Sequence, residues 1–505
     1  MIIVLILRGE KVSIIKISQE ELDIQDRYCD KLRSYFENIS RSEGRVQTYQ
    51  IRTYGCQLNE SDSEKMAGYF DQMGLLAEKD NMPDILLMNT CAIRENAEDR
   101  LFGNLGFWKA LKTNNPGMII IVCGCMTKQE EDLERIKRSF SSVDLVFGPQ
   151  DIHLLPQLLF SFIDTRERLI CVSENDYLPD DFDLPVVRHR KFRALVPIMY
   201  GCDNFCTYCI VPYTRGRERS RSFEKILLQL KDLSDRGFQE VMLLGQNVNS
   251  YGKGVPDSPD FPDLLRTVAE MNLFSRVRFM TSNPKDMSDR LIGIIAANPC
   301  IERHIHLPFQ SGSNAVLKNM NRGYTREQYL EKAKRYRDLV PKGTISTDII
   351  VGFPGETEDD FLLTLDLMEQ VRFDAAFTFI YSKRPGTKAA SFPDVIPDDI
   401  IGERFSRLLE LQNSHSLASN QSVVGELAEV LIEGVSHTNE TVFTGRTSTN
   451  RLINFTIPDH VTHVSAHVDP NLLLKNELEG EKAMVRLLKA KTFSIEGRLE
   501  SFLYE

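Results

Sequence analysis

The chain has 505 residues, of which 42% are apolar and 26% charged, and its formal net charge is −11. That length allows about three domains with cores of their own, and no apolar run reaches the length of a membrane span. The negative balance excludes a molecule that is basic all over, so any nucleic-acid contact has to be local.

Residues 1–45 read as an accessory extension with no chemistry assigned. Its opening apolar run over 1–7 is broken by Arg8, Glu10 and Lys11 and has no small-residue cleavage site, which argues against a signal peptide and for a cytoplasmic protein. Weak helical character follows over 17–39. Residues 46–165 alternate strands (46–53, 85–89, 118–123, 143–147) with helical stretches such as 61–73 and 95–111, the pattern of a parallel sheet covered by helices. Residues 166–187, which include the acidic, proline-bearing stretch 176–185, read as a linker.

Strand–helix alternation resumes over 188–421. Strands are expected at 194–199, 240–244, 276–281, 304–307, 344–351 and 375–381, with helices such as 224–236, 327–339 and 359–371 between them, and a connecting helix closes the domain at 397–421. Six such units are too few for an eight-stranded barrel, so a partial, open (β/α)6 barrel is predicted. From 422 to 490 the pattern changes to strands at 427–435, 442–446, 452–457 and 482–488, the outline of a small antiparallel barrel. Barrels of this size often contact oligonucleotides, although a purely structural cap fits the same pattern. The fold class is therefore α/β, with a small β-barrel at the carboxy end.

Ten cysteines in such a chain point to metal or catalytic use rather than to disulfides. Tyr200-Gly-Cys-Asp-Asn-Phe-Cys-Thr-Tyr-Cys209 puts Cys202, Cys206 and Cys209 in C-x3-C-x2-C spacing after the first strand of the second domain. Ordinary iron–sulfur clusters take four cysteines. Three with no fourth nearby leave one iron open to an outside ligand, such as the amine and carboxylate of an α-amino acid. A zinc centre would require a second cysteine pair, which is missing. Cys56, Cys91 and Cys125 are far apart in sequence, yet each follows a predicted strand closely, so a parallel sheet would bring them to one edge. Cys123 competes with Cys125, which is preferred because Gly124 releases it into the loop. Cys29, Cys171 and Cys300 read as structural thiols.

These segments resemble known families. C-x3-C-x2-C after the first strand of a partial barrel is similar to the radical S-adenosylmethionine (SAM) superfamily, and the resemblance implies a cluster whose open iron binds SAM and breaks it to a 5′-deoxyadenosyl radical. It further implies cofactor contacts at the strand ends, from Gln246, Asn247, Ser282, Gln310, Ser311, Asp348 and Gly352. Thr53-Tyr-Gly-Cys-Gln-Leu-Asn59, Asn89-Thr-Cys-Ala-Ile-Arg-Glu95 and Gly124-Cys-Met126 resemble the amino-terminal domain of the methylthiotransferases, which implies a second [4Fe-4S] cluster on Cys56, Cys91 and Cys125. The carboxy-terminal barrel resembles their RNA-binding TRAM domain, and the likeness runs over about residues 46–490.

Within that family, the segment 201–220 resembles the bacterial branch acting on isopentenyladenosine. The implied reaction is methylthiolation of N6-isopentenyl (dimethylallyl) adenosine at tRNA position 37, on adenine carbon 2. Threonylcarbamoyladenosine in tRNA, a ribosomal-protein aspartate, or a non-enzymatic iron–sulfur RNA-binding or redox-sensing role are the alternatives. The implied partners are the tRNA anticodon loop and a reduced flavodoxin or ferredoxin, with no membrane and a monomeric enzyme. Eight Lys/Arg between 188 and 221 flank the C-x3-C-x2-C motif of Cys202, Cys206 and Cys209. Of these, Arg215, Arg217, Arg219 and Arg221 are expected to meet tRNA phosphates, and Arg486, Lys489 and Lys491 form the basic strip of the terminal barrel.

Overall fold

The structure is a computed structural model that describes residues 3–5, 14–92, 95–174, 176–178, 184–255, 257–393, 395–436, 438–458 and 478–503. Most of the opening run 1–7 and half of the acidic stretch 176–185 lie outside them.

The first domain is built on a seven-stranded sheet, parallel throughout, in the order Ile3–Leu5, Leu169–Cys171, Leu145–Phe147, Ile119–Gly124, Ile85–Thr90, Thr48–Tyr54, Leu76–Ala77. Its middle strands are uninterrupted runs of Ile, Leu, Val and Met because helices cover both faces. Two segments set aside from the sequence belong here. The helix Gln19–Glu43, capped by Ser18 at its start and Gly44 at its end, sinks Cys29, Leu32 and Phe36 into the core shared with Phe70, Leu87 and Leu159. The strand Leu169–Cys171 lies inside the stretch read as a linker. At three residues it was too short to stand out by periodicity, although all three are buried.

The second domain has the six expected strands, Arg193–Pro197, Glu240–Leu244, Arg276–Phe279, His304–His306, Thr344–Val351 and Ala375–Ile380. They form two parallel three-stranded sheets joined by the bridge Val277↔Ile301, and among the described residues the first and sixth strands do not pair. The barrel is therefore open on one side. Its helices begin where side chains satisfy their free N–H groups: Ser222 caps Phe223–Asp235, while Thr325 with Gln328 and Thr357 with Asp360 make capping boxes for Arg326–Leu339 and Glu358–Val371.

The third domain is a closed five-stranded barrel. One strand was missed, Ile495–Leu503, which lies beyond residue 490, and its pairing with Leu452–Thr456 is parallel, so the barrel is not purely antiparallel. It is docked on the amino ends of the second domain's strands: Arg278 Nη2 donates to Asn450 Oδ1 (2.8 Å), Arg276 Nη1 to Arg446 O (2.8 Å) and Thr344 Oγ1 to Thr449 O (2.7 Å). Arg193 pairs with both Glu240 and Glu433, joining the two domains through partly buried charge.

Candidate functional site

Strand register explains how three remote cysteines meet. Tyr54 aligns with Thr90 and Thr90 with Gly124 on adjacent parallel strands, which lie about 4.8 Å apart. Cys56, Cys91 and Cys125 follow these residues by one or two positions, so all three emerge at the carboxyl edge of the sheet. Glycines make the approach possible. A Cβ on Gly55 would stand 2.8 Å from Cys91 Cβ, and one on Gly124 (φ 102°) 2.3 Å from Thr90 O. A buried amide network pins the edge: Asn59 Nδ2 donates to Asn89 Oδ1 (3.2 Å), Asn89 Nδ2 donates to Asn59 O (2.9 Å), and Asn59 Oδ1 accepts from Cys56 N (3.3 Å). Cys123 points elsewhere, into the core against Met66.

The second trio lies on a loop tied down at both ends. Gly201 (φ 72°) must lack a side chain, because a Cβ there would stand 2.1 Å from Arg217 O. Thr207 N and Oγ1 donate to Met320 O and Asn319 O, and Asn321 Nδ2 donates to Phe205 O. Two donors face sulfur: Asn204 Nδ2 reaches Cys202 Sγ (3.2 Å) and Arg322 Nη1 reaches Cys206 Sγ (3.3 Å). Burial, reinforced by neighbouring Cys206, pushes the Cys209 thiol up to about 12. Burial also raises Cys202 and Cys125. Such thiols become ligands when a metal displaces the proton.

Among the described residues no three His, Cys, Asp or Glu side chains are gathered for a single metal ion. A cubane cluster demands something different, since each thiolate goes to its own iron. Two cysteine trios, each on a preorganised edge or loop with N–H donors aimed at sulfur, fit that demand.

Arg215 joins the two sites. It follows the Cys209 loop, yet its Nε donates to Cys125 Sγ (2.9 Å) and its Nη1 to Asp62 Oδ2 (2.7 Å) in the first domain. Burial works against its charge, but Asp62 and the thiols of Cys125 and Cys56 outweigh it and hold its pKa well above the ordinary value. Ile210, on the same segment, packs with Ala92 and Cys125.

This placement corrects the expected phosphate contacts. Arg215 is buried against a thiol. Arg219 is buried with Nη1 on the carbonyls of Arg215 and Arg217, and Arg221 is buried with Nη1 on Pro197 O and Gln229 Oε1. Arg217 alone is exposed, and it pairs with Asp203 at 2.7 Å. On the terminal barrel, Arg486 and Lys491 pair with Glu500 and Glu496.

Of the residues expected to hold SAM, Gln246 Oε1, Ser282 Oγ and Gln310 Oε1 are buried without a hydrogen-bond partner at three successive strand ends. Buried polar atoms left unsatisfied are costly, and a polar ligand would satisfy them. Gln310 also has left-handed backbone (φ 68°), held by its N–H on Asp348 O. Asp348 stands on the inner face near His306 (3.4 Å). Three others are committed to the scaffold. Asn247 donates to Asp286 Oδ2 and accepts from Asn283 N. Ser311 accepts from Ser313 N, and Gly352 turns its bare side to Ile401, 3.0 Å from where a Cβ would be. Sequence reasoning missed Arg322 and Asn249, whose buried Oδ1 is also unpartnered; neither has a local motif to reveal it.

The open barrel and its three-cysteine loop define a radical SAM enzyme, and the Radical SAM superfamily matches residues 196–368. Residues 48–148 match the Uncharacterized protein family UPF0004. The chain is 45% identical over 487 residues to the tRNA-2-methylthio-N(6)-dimethylallyladenosine synthase of Acetivibrio thermocellus, covering 96% of this chain and 98% of that one. It is 47% identical over 434 residues to the synthase of the same name from Desulforamulus reducens, covering 86% and 95%. The chain belongs to this synthase family. Among solved structures, the radical S-adenosylmethionine methyltransferase TsrM from Kitasatospora setae aligns at TM-score 0.49 and 12% identity, over 68% of this chain and 75% of that one. No helix among the described residues is long and apolar enough to cross a membrane.

Proposed function

We infer that the protein is a radical SAM methylthiotransferase that converts N6-dimethylallyladenosine at tRNA position 37 to its 2-methylthio derivative. The observation that carries this reading is the Arg215 segment, which starts at the radical-type cysteine loop and donates to Cys125, so that the two cysteine-bearing segments touch. When bound, two [4Fe-4S] clusters and SAM supply the radical, the methyl group and the sulfur that an unactivated adenine carbon requires. The protein's own residues do the positioning. Cys202, Cys206 and Cys209 hold one cluster and leave its remaining position to the amino-acid end of SAM. Cys56, Cys91 and Cys125 hold the other at the facing edge. Gln246, Ser282 and Gln310 offer polar atoms to the cofactor, Asp348 faces the same space, and burial keeps water from the cleft.

The terminal barrel, TRAM-like in outline, supplies a second contact for the tRNA, whose single-stranded anticodon loop can splay its bases into the cleft. A monomer reduced by a flavodoxin or ferredoxin in the cytoplasm completes the proposal. Nucleoside mass spectrometry of tRNA from a deletion strain tests it. The 2-methylthio nucleoside should vanish while its dimethylallyl precursor accumulates, and should return with the wild-type gene but not with either cysteine trio replaced by alanine. Unchanged 2-methylthio content would refute the assignment.

A further inference from the structure

Arg215 belongs to the segment of one cysteine trio and donates to a sulfur of the other, and it is held at both ends. Its backbone N–H closes the short helix Val211–Thr214 on Val211 O (2.8 Å). Its Nη1 is fixed on Asp62 Oδ2 (2.7 Å); the other oxygen of Asp62 lies 3.7 Å from Lys65 Nζ, which in turn donates to Tyr200 Oη (3.1 Å). This chain of buried polar contacts sets the plane of the guanidinium.

A guanidinium presents its N–H groups in a rigid planar fork. Nε–H and one N–H of Nη2 leave side by side along the same edge. On Arg215 that edge is half used. Nε donates to Cys125 Sγ (2.9 Å), whereas Nη2, in a side chain only 6% exposed, is buried without a hydrogen-bond partner. A buried N–H left unsatisfied is costly, and this one is aimed the same way as the bond to Cys125. An iron–sulfur cluster on Cys125 brings sulfur acceptors beside that thiolate, and hydrogen bonds to cluster sulfurs tune the potential. Arg322, at the other trio, has every arm engaged. Its Nη1 is on Cys206 Sγ (3.3 Å), its Nε on Tyr324 Oη (3.1 Å) and its Nη2 on Pro308 O (3.0 Å).

We propose that Arg215 is a positioning residue for the first-domain cluster, donating from Nε to the Cys125 thiolate and from Nη2 to a cluster sulfide, and that it thereby raises the reduction potential of that cluster. The inference rests on Cys56, Cys91 and Cys125 being the ligands. Reduction adds one negative charge to the cluster, and a fixed cation with two N–H groups on its sulfurs favours the more negative state.

The test uses the full chain with Cys202, Cys206 and Cys209 replaced by alanine, so that only the first-domain cluster is loaded. With Arg215 intact, 15N-arginine labelling and reduction by dithionite, pulsed EPR should show a nitrogen weakly coupled to the cluster, and Arg215→Lys should remove it. Lysine keeps the charge beside Asp62 but has no fork to span Asp62 and two sulfurs. Potentiometric titration should therefore show Arg215→Lys holding the added electron about tenfold less tightly, a midpoint about 59 mV lower for one electron. Arg322→Lys should leave this midpoint where it was. A missing nitrogen signal, a midpoint unchanged by Arg215→Lys, or an equal shift from Arg322→Lys overturns the proposal. If the lysine variant does not retain iron, the nitrogen signal of the Arg215 chain decides. A chain that takes up no cluster on Cys56, Cys91 and Cys125, read by iron analysis, overturns the ligand reading and this inference with it.

Discussion

Replacing Arg215 with methionine removes the charge that ties the two halves of the cleft together. Arg215 and Asp62 are 2.7 Å apart and almost fully buried. At an effective dielectric of about 20, their attraction is about 6 kcal/mol before desolvation is subtracted. Removing one partner of a buried pair costs about 3–5 kcal/mol, because the other charge is left uncompensated. Lys65 stays 3.7 Å from Asp62 and softens that loss, so the lower end, about 3 kcal/mol, is expected. Urea unfolding of the cluster-free chain can be followed through Trp108, the single tryptophan, which is buried on the first-domain helix Glu95–Asn114. Adding Asp62→Asn removes the uncompensated carboxylate but also takes it from the buried Lys65 ammonium, so only part of the loss should return. A shift below about 1 kcal/mol for Arg215→Met alone would refute the view of this pair as a structural tie.

Ser282→Ala should leave the apo-protein as stable as the wild type, because Ser282 Oγ has no partner to lose, while calorimetry shows SAM binding about three- to tenfold weaker. Gly124→Ala places a Cβ 2.3 Å from Thr90 O at φ 102°, so iron analysis after reconstitution should show about half the wild-type iron, from loss of the Cys125 cluster. Burial lowers the pKa of His304 and of His153 to about 4. Below pH 6.5 the unfolded chain takes up protons that these folded imidazoles refuse. Stability is therefore full above that pH and falls on acidification toward pH 4, by up to about 1.4 kcal/mol per pH unit for each histidine. Denaturant titrations across that window should show a shallower fall for His304→Asn.

The barrel strands were legible in the sequence because short stretches, most of them apolar, recur between well-capped helices, although the third and fourth carry Arg276, Arg278, His304 and His306; the sixth alone kept large apolar residues exposed, which periodicity does not report. The meeting of Cys56, Cys91 and Cys125 was legible for a topological reason: parallel strands deliver whatever follows them to one edge. The arginines were not. Arg215, Arg217, Arg219 and Arg221 look like one solvent-facing row, yet three are buried: Arg215 on Asp62 and Cys125 of the first domain, Arg221 on Pro197 of a neighbouring strand, and Arg219 on carbonyls of its own segment. A pairing across more than a hundred residues, such as Arg215 with Asp62, leaves no local trace. The helix over 19–43 was undervalued for a related reason, since its few apolar positions suffice only because a ready-made groove accepts them.

The carboxy-terminal barrel is clamped rather than tethered. Arg193, Arg276, Arg278, Glu433 and Asn450 interlock it with the floor of the second domain, so the two part only if all these contacts break together. A grip mounted that rigidly works as a calliper. Were the barrel to grip the tRNA as proposed, the cleft would meet only the nucleotide lying one fixed span away, and the choice of which base is modified would follow from the length of the tool as well as from the chemistry at its tip.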